Sequence, residues 1–165
     1  MTDAATRPSP ARPAGAAPAE PLAHVRTLWA LGLGGLVPFV ALTAVLVYAG
    51  REFIAFSTLA LAFTAYSAVI LSFLGGIRWG ASLMRASRGR LTLGLSVLPS
   101  LFAWICLFLP APWLFAALAV GFLAQGAWDV TAIQRGKLPL AFRTLRIVLT
   151  AVVVLCMIVA FFSTY

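Results

Sequence analysis

Few side chains in this sequence could do chemistry in an apolar setting, and three stand out: Arg78, Gln125 and Asp129. Asp129 is the one acid inside a long apolar run, since Asp3, Glu20 and Glu52 lie in or beside polar stretches. Gly121, Gln125 and Asp129 recur every four residues, so on a helix they share one slowly drifting face. Arg78 sits near the end of another apolar run, "SFLGGIRWG" (72–80), with Gly75 and Gly76 before it and Trp79 after it. A charge in hydrocarbon is expensive unless it snorkels to the interface or is paired. Counting about 20 residues from Trp113 leaves Asp129 about one turn inside a membrane boundary. The same count from Phe56 leaves Arg78 slightly beyond that boundary, on the same side. Two arrangements fit: an Arg78–Asp129 ion pair or shared hydrogen-bond network between the two runs, or two side chains that snorkel separately.

Other polar features read more readily as structure. Pro99, within "GLSVLPS" (94–100), must interrupt a helical ladder, and the hydroxyl of Ser96 or Ser100 can satisfy the carbonyls it frees. Ser57, Thr64, Ala68, Gly75 and Ser82 fall on a narrow stripe at about 100° per residue, the pattern of close helix packing in membranes. The segment "QRGKLPLAFRTLR" (134–146) mixes Leu and Phe with Arg135, Lys137, Arg143 and Arg146, which suits contact with anionic lipid headgroups. A single histidine, His24, and two isolated cysteines, Cys106 and Cys156, give no metal-ligand spacing. There is no HExxH, GxSxG or phosphate loop, so no catalytic residue, metal or cofactor is expected, nor an enzyme.

The elements that must position these residues follow from composition. At 165 residues, 62% hydrophobic and 10% charged, with a mean hydropathy of +1.02, the chain lies far from globular usage, in which about a quarter of residues are charged. The net charge of +8 is dispersed between apolar runs rather than gathered on a polar surface, which argues against nucleic acid. Residues 1–22 are Ala-, Pro- and Gly-rich and are expected to be a disordered tail. Residues 23–165 hold five apolar segments, at about 27–49, 53–77, 91–109, 113–131 and 145–162, each near the length of a membrane span. The expected fold is therefore all-α, a polytopic bundle of five antiparallel transmembrane helices. With the N-terminus inside, eleven of the twelve Lys and Arg lie on the inner side and only Arg51 outside. The positive-inside rule then places the N-terminus in the cytoplasm and the C-terminus outside.

The segments "LGLGGLVPFVAL" (31–42), "ILSFLGGIRWG" (70–80), "LGLSVLPSLFAW" (93–104) and "FRTLRIVLT" (142–150) resemble the domain of unknown function 3429 family, a family of transmembrane protein 69-like small membrane proteins. The resemblance spans about residues 28–155. It implies a multi-pass protein of the bacterial inner membrane, with mitochondrial relatives and no assigned activity. Where the family pattern places an aromatic Tyr-Pro-x-Trp-Phe, this chain has Leu138-Pro139-Leu140-Ala141-Phe142. The length and span count also match the tryptophan-rich sensory proteins, but their Trp-Pro motifs are absent and the charge bias predicts the opposite orientation. The expected function is a non-enzymatic scaffold or assembly factor acting through helix–helix contacts. Its partners are then the bilayer, anionic headgroups on the cytoplasmic side, and a membrane protein or a second copy of the chain. Two alternatives stand beside it: a small oligomeric transporter or channel with an inner-side site at Arg78 and Asp129, and an intramembrane binder of a lipid or isoprenoid.

Overall fold

A computed structural model describes residues 19–49, 54–83, 90–135 and 141–165. Six helices cover these residues: α1 (Ala19–Ala49), α2 (Phe56–Leu83), α3 (Arg90–Leu95), α4 (Leu98–Cys106), α5 (Trp113–Gln134) and α6 (Ala141–Thr164). No strand occurs among the described residues. The segments Val25–Tyr48, Phe56–Leu83, Trp113–Gln134 and Phe142–Thr164 are long and apolar enough to cross a membrane. The remaining apolar segment, Leu91–Cys106, is shorter. It would reach about 24 Å even as one continuous helix, against a hydrocarbon core of about 30 Å.

The expected tail lies largely outside the described residues, but α1 begins at Ala19, before the expected end of the tail at residue 22. The second helix continues past its expected end at residue 77 and encloses Arg78 and Trp79. The third expected span is divided into α3 and α4 by a turn at Ser96 and Val97, immediately before Pro99. Pro99 has no N–H to give the carbonyl one helical turn back, so the ladder ends there and restarts. The Ser96 hydroxyl donates to the Leu93 carbonyl at 2.6 Å. Gly75 explains how the broken helix packs: a Cβ on it would lie 2.5 Å from the Ser96 carbonyl oxygen. Only glycine lets the backbones of α2 and the α3–α4 turn approach so closely.

Helix contacts fix the arrangement. Going round the bundle, α1 packs on α6, α6 on α5, α5 on α4, α4 on α2 and α2 back on α1, while α2 and α5 also touch across the middle. Helices α1 and α2 run in opposite directions, as do α5 and α6, as the contact registers show. Tyr66 on α2 donates its hydroxyl to the Gly35 carbonyl on α1 at 2.8 Å, and Phe63 meets Phe39 earlier on α2 but later on α1. A Cβ on Gly126 of α5 would lie 2.7 Å from Thr150 Oγ1 on α6, and Trp113 of α5 meets Phe161 of α6. Helices α2 and α5 are parallel, with Phe63 against Phe115 near their starts and Arg78 against Trp128 near their ends.

The core is aromatic where α1, α2 and α5 converge. Phe39 is the hub, edge to face with Phe63, Tyr66 and Phe122, and Phe63 continues the chain to Phe115. Such edge contacts add about 0.5–1.5 kcal/mol each beyond burial. That matters more here than in water, because lipid tails are as apolar as the core and burial alone drives little association.

Candidate functional site

Three buried stripes lead away from this aromatic core and end in charge. On α2 the buried residues run Phe63, Ser67, Leu71, Leu74, Gly75 and Arg78. On α5 they run Phe115, Leu118, Phe122, Gln125 and Asp129. On α6 the inward face carries Thr164, Ala160, Met157 and Val153 and reaches Arg146. Intervals of three, four and seven keep each set on one helix face. All three charged residues lie near the same end of the bundle, about one and a half turns inside their helix termini.

There they meet. Arg146 Nη2 lies 2.6 Å from Asp129 Oδ2, and Arg78 Nε lies 3.8 Å from Asp129 Oδ1. Gln125 Nε2 donates to Asp129 Oδ1 at 3.2 Å. The Arg78 guanidinium also lies over the Trp128 ring, 4.2 Å from its centroid, where the negative ring face attracts a cation. The side chains of Arg78, Arg146 and Asp129 are 6%, 4% and 5% exposed, so the cluster is enclosed by protein. Two guanidinium groups share one carboxylate, which leaves a net positive charge. The geometry leaves donors over as well: Nε of Arg78 and Nε of Arg146 are buried without a hydrogen-bond acceptor. The close Arg146–Asp129 approach is a charge-assisted contact, the strongest in the cluster by distance.

Two cavities flank the cluster. The larger, about 400 Å³, lies among α2, the α3–α4 turn and α5, with Leu71 and Gln125 at its back and Pro99, Phe102 and Trp128 on its walls. Its rim residues Leu98, Val120 and Ala124 are exposed, so it opens sideways between α4 and α5. Gly121 shapes this groove: a Cβ there would lie 2.7 Å from the Phe102 ring and 3.2 Å from Leu71. The smaller, about 120 Å³, lies among α1, α2, α5 and α6, with Phe39, Phe122 and Arg146 at its back. Leu31 and Phe73 form its exposed rim, so it opens between α1 and α2.

The structure brings some expected site residues together and separates others. Arg78, Gln125 and Asp129 join one network. Pro99 lines the larger groove, and Gly75 packs beside it with Pro99 Cγ 3.5 Å from a Cβ on Gly75. Trp79 and Gly76 face outward, away from the cluster. Arg135 and Arg143 are exposed at the same end, while Lys137 lies outside the described residues. Arg146 departs from the expected surface position beside the headgroups: it is 3% exposed and turned into the bundle, because α6 begins at Ala141 and its phase aims this position at Asp129. The available signal was its place inside the apolar run from Leu145 to Phe162, where an unpaired cation is costly. Trp128 is a further partner, beneath Arg78 and beside Asp129 in sequence, that the spacing of polar residues does not reveal.

A bundle of long apolar helices that turns Arg78, Asp129 and Arg146 inward and many of its Leu, Val, Ile and Phe side chains outward defines an integral membrane protein. The model of the family described as "Protein of unknown function (DUF3429)" matches residues 24–162, and the chain belongs to that family. Among curated proteins it is similar to "Transmembrane protein 69" of Xenopus tropicalis, 34% identical over 133 residues, which covers 78% of this chain and 51% of that protein. The chain thus spans about half the length of this relative. No solved structure matches.

Proposed function

We propose that this protein is a non-enzymatic binder of a lipid or isoprenoid chain, which it holds in the groove between α4 and α5. The observation that carries the reading is the groove itself: about 400 Å³, within the roughly 300–1,000 Å³ of small-molecule sites. Its walls are apolar, it opens sideways where a bilayer would supply a chain, and Gln125 and Trp128 give it one polar end. Several glycines are used for packing within the chain: Gly32 against Leu145, Gly75 against Ser96, Gly121 against Phe102 and Gly126 against Thr150. With the basic end of the bundle in the cytoplasm, the N-terminus is inside, the C-terminus outside and the groove's polar end on the inner side. A bacterial inner membrane fits this orientation. Native mass spectrometry after detergent exchange tests the reading. The wild type should retain one chain-bearing molecule, and Ala124→Phe, which fills the rim without touching the core, should lose it. A wild type that retains nothing, or an A124F variant that retains as much, contradicts the proposal.

A second reading has one observation in its favour. Gly76 and Gly80 on α2, four residues apart, have nothing within 4 Å of a Cβ position, which suits close approach of a partner helix. On the scaffold reading Gly76→Leu abolishes a crosslinked complex in native membranes. Identical crosslinking patterns in the wild type and G76L would set it aside.

A further inference from the structure

The α4–α5 groove leaves the charge of the cluster unexplained. Two arginines and one aspartate enclosed together carry a surplus positive charge, and a buried charge without a partner is among the costliest features a fold can hold. The leftover N–H groups make the same demand, since Arg78 Nε and Arg146 Nε are buried without acceptors. A single oxyanion would meet both needs. The planar guanidinium fork suits the oxygens of a carboxylate or phosphate, and charge-assisted bonds of this kind are the strong ones.

The second cavity supplies the route. Arg146 stands at the back of the cleft of about 120 Å³ between α1 and α2, and the rest of that cleft is walled mainly by Leu, Ile, Val and Phe with Gly32 and Gly35. Its mouth, at Leu31 and Phe73, faces outward from an apolar helix surface. It is too small for a whole lipid but large enough for a head and the first part of a chain, with the remainder lying along α1 and α2. We propose that Arg146, with Arg78 sharing its hold on Asp129, binds the oxyanion head of an anionic amphiphile that enters from the bilayer between α1 and α2. Asp129 sets the strength of the site: it cancels one arginine and orients both, leaving a single positive charge for a single negative head.

This cleft is separate from the α4–α5 groove, so the two assignments stand or fall independently. The test is native mass spectrometry of the full chain in gentle detergent, supplied with equal amounts of phosphatidylglycerol and phosphatidylcholine of matched chains. The wild type should take one phosphatidylglycerol with about tenfold preference, equivalent to about 1.4 kcal/mol. Arg146→Gln leaves Asp129 balanced by Arg78 and should bring the preference close to unity, while Arg146→Lys should keep most of it. If R146Q does not fold, Arg78→Gln neutralises the surplus in the same way and should also lower the preference. Millimolar inorganic phosphate should not displace the lipid; displacement would assign the site to a free ion and overturn the amphiphile. Equal uptake of the two lipids by the wild type, or an unchanged preference in folded R146Q or R78Q, overturns the proposal outright. The A124F variant, which alters only the α4–α5 rim, should keep the anionic preference whatever becomes of its neutral ligand.

Discussion

Where α2 and α5 start, Phe63 and Phe115 meet edge to face; where they end, the same two parallel helices present Arg78 and Asp129 to each other and to Arg146. The first region is held by shape. Its rings pack closely, nothing in it has to be neutralised, and its contribution scales with contacts made. The second is held by charge, and both arginines depend on the one carboxylate of Asp129. Removing a ring leaves a cavity, whereas removing a charge leaves an uncompensated partner in a medium that cannot solvate it. One bundle therefore has an end that tolerates change by degrees and an end that does not.

That contrast can be broken in several places. The largest loss is expected for Asp129→Asn, which strands two arginines at once and should reduce stability by about 3–5 kcal/mol, read as the midpoint of denaturant unfolding followed by helical circular dichroism in detergent. Phe39→Ala should cost about 3 kcal/mol, the low end for such a truncation, because lipid exposure removes most of the transfer term and leaves the cavity term. The same unfolding assay reads it, and a loss larger than that of D129N would reverse the ranking of the two ends. Adjacent glycines then sharpen the point at the level of one methyl group. Gly75→Ala drives a Cβ into the Ser96 carbonyl and should cost about 1–3 kcal/mol, whereas Gly76→Ala meets nothing and should be neutral or gain up to about 1 kcal/mol from helix propensity. The smallest effect belongs to Arg135→Gln at the exposed rim, within about 0.5 kcal/mol; a comparable effect from Arg146→Gln would mean that burial of Arg146 does not matter.

Depth was more legible in the sequence than partnership. Counting span lengths from Phe56 and Trp113 put Arg78 and Asp129 at one level, because the rise of a helix is fixed and the two runs are nearly continuous. The recurrence of Gln125 and Asp129 on one face carried over directly into the bond between them. Arg146 was misread because it ends a basic segment, and the positive-inside pattern explains every cation in such a segment without asking which way each one points. Rotation about the α6 axis decides that, and rotation is set by packing against α1 and α5, which a single sequence does not specify. The break at Ser96 was half legible. Pro99 demanded an interruption, but the contact that stabilises it, the Ser96 carbonyl seated on Gly75, joins residues on two different helices and has no local signature. The lateral openings had no sequence signal either, since they arise from how five segments close into a ring.

Asp129 is balanced chiefly by Arg146 across the α5–α6 contact, at 2.6 Å against 3.8 Å for Arg78. A charge-swap cycle tests it most directly, with Arg146→Asp, Asp129→Arg and the double variant measured by unfolding midpoint in the same detergent. The swap restores the α5–α6 pair in reversed polarity, and the nearby Arg78 limits how complete the recovery can be. The double variant should be more stable than either single variant by about 1 kcal/mol or more, a coupling expected of residues in contact. A double variant no more stable than the weaker of the two singles would contradict it.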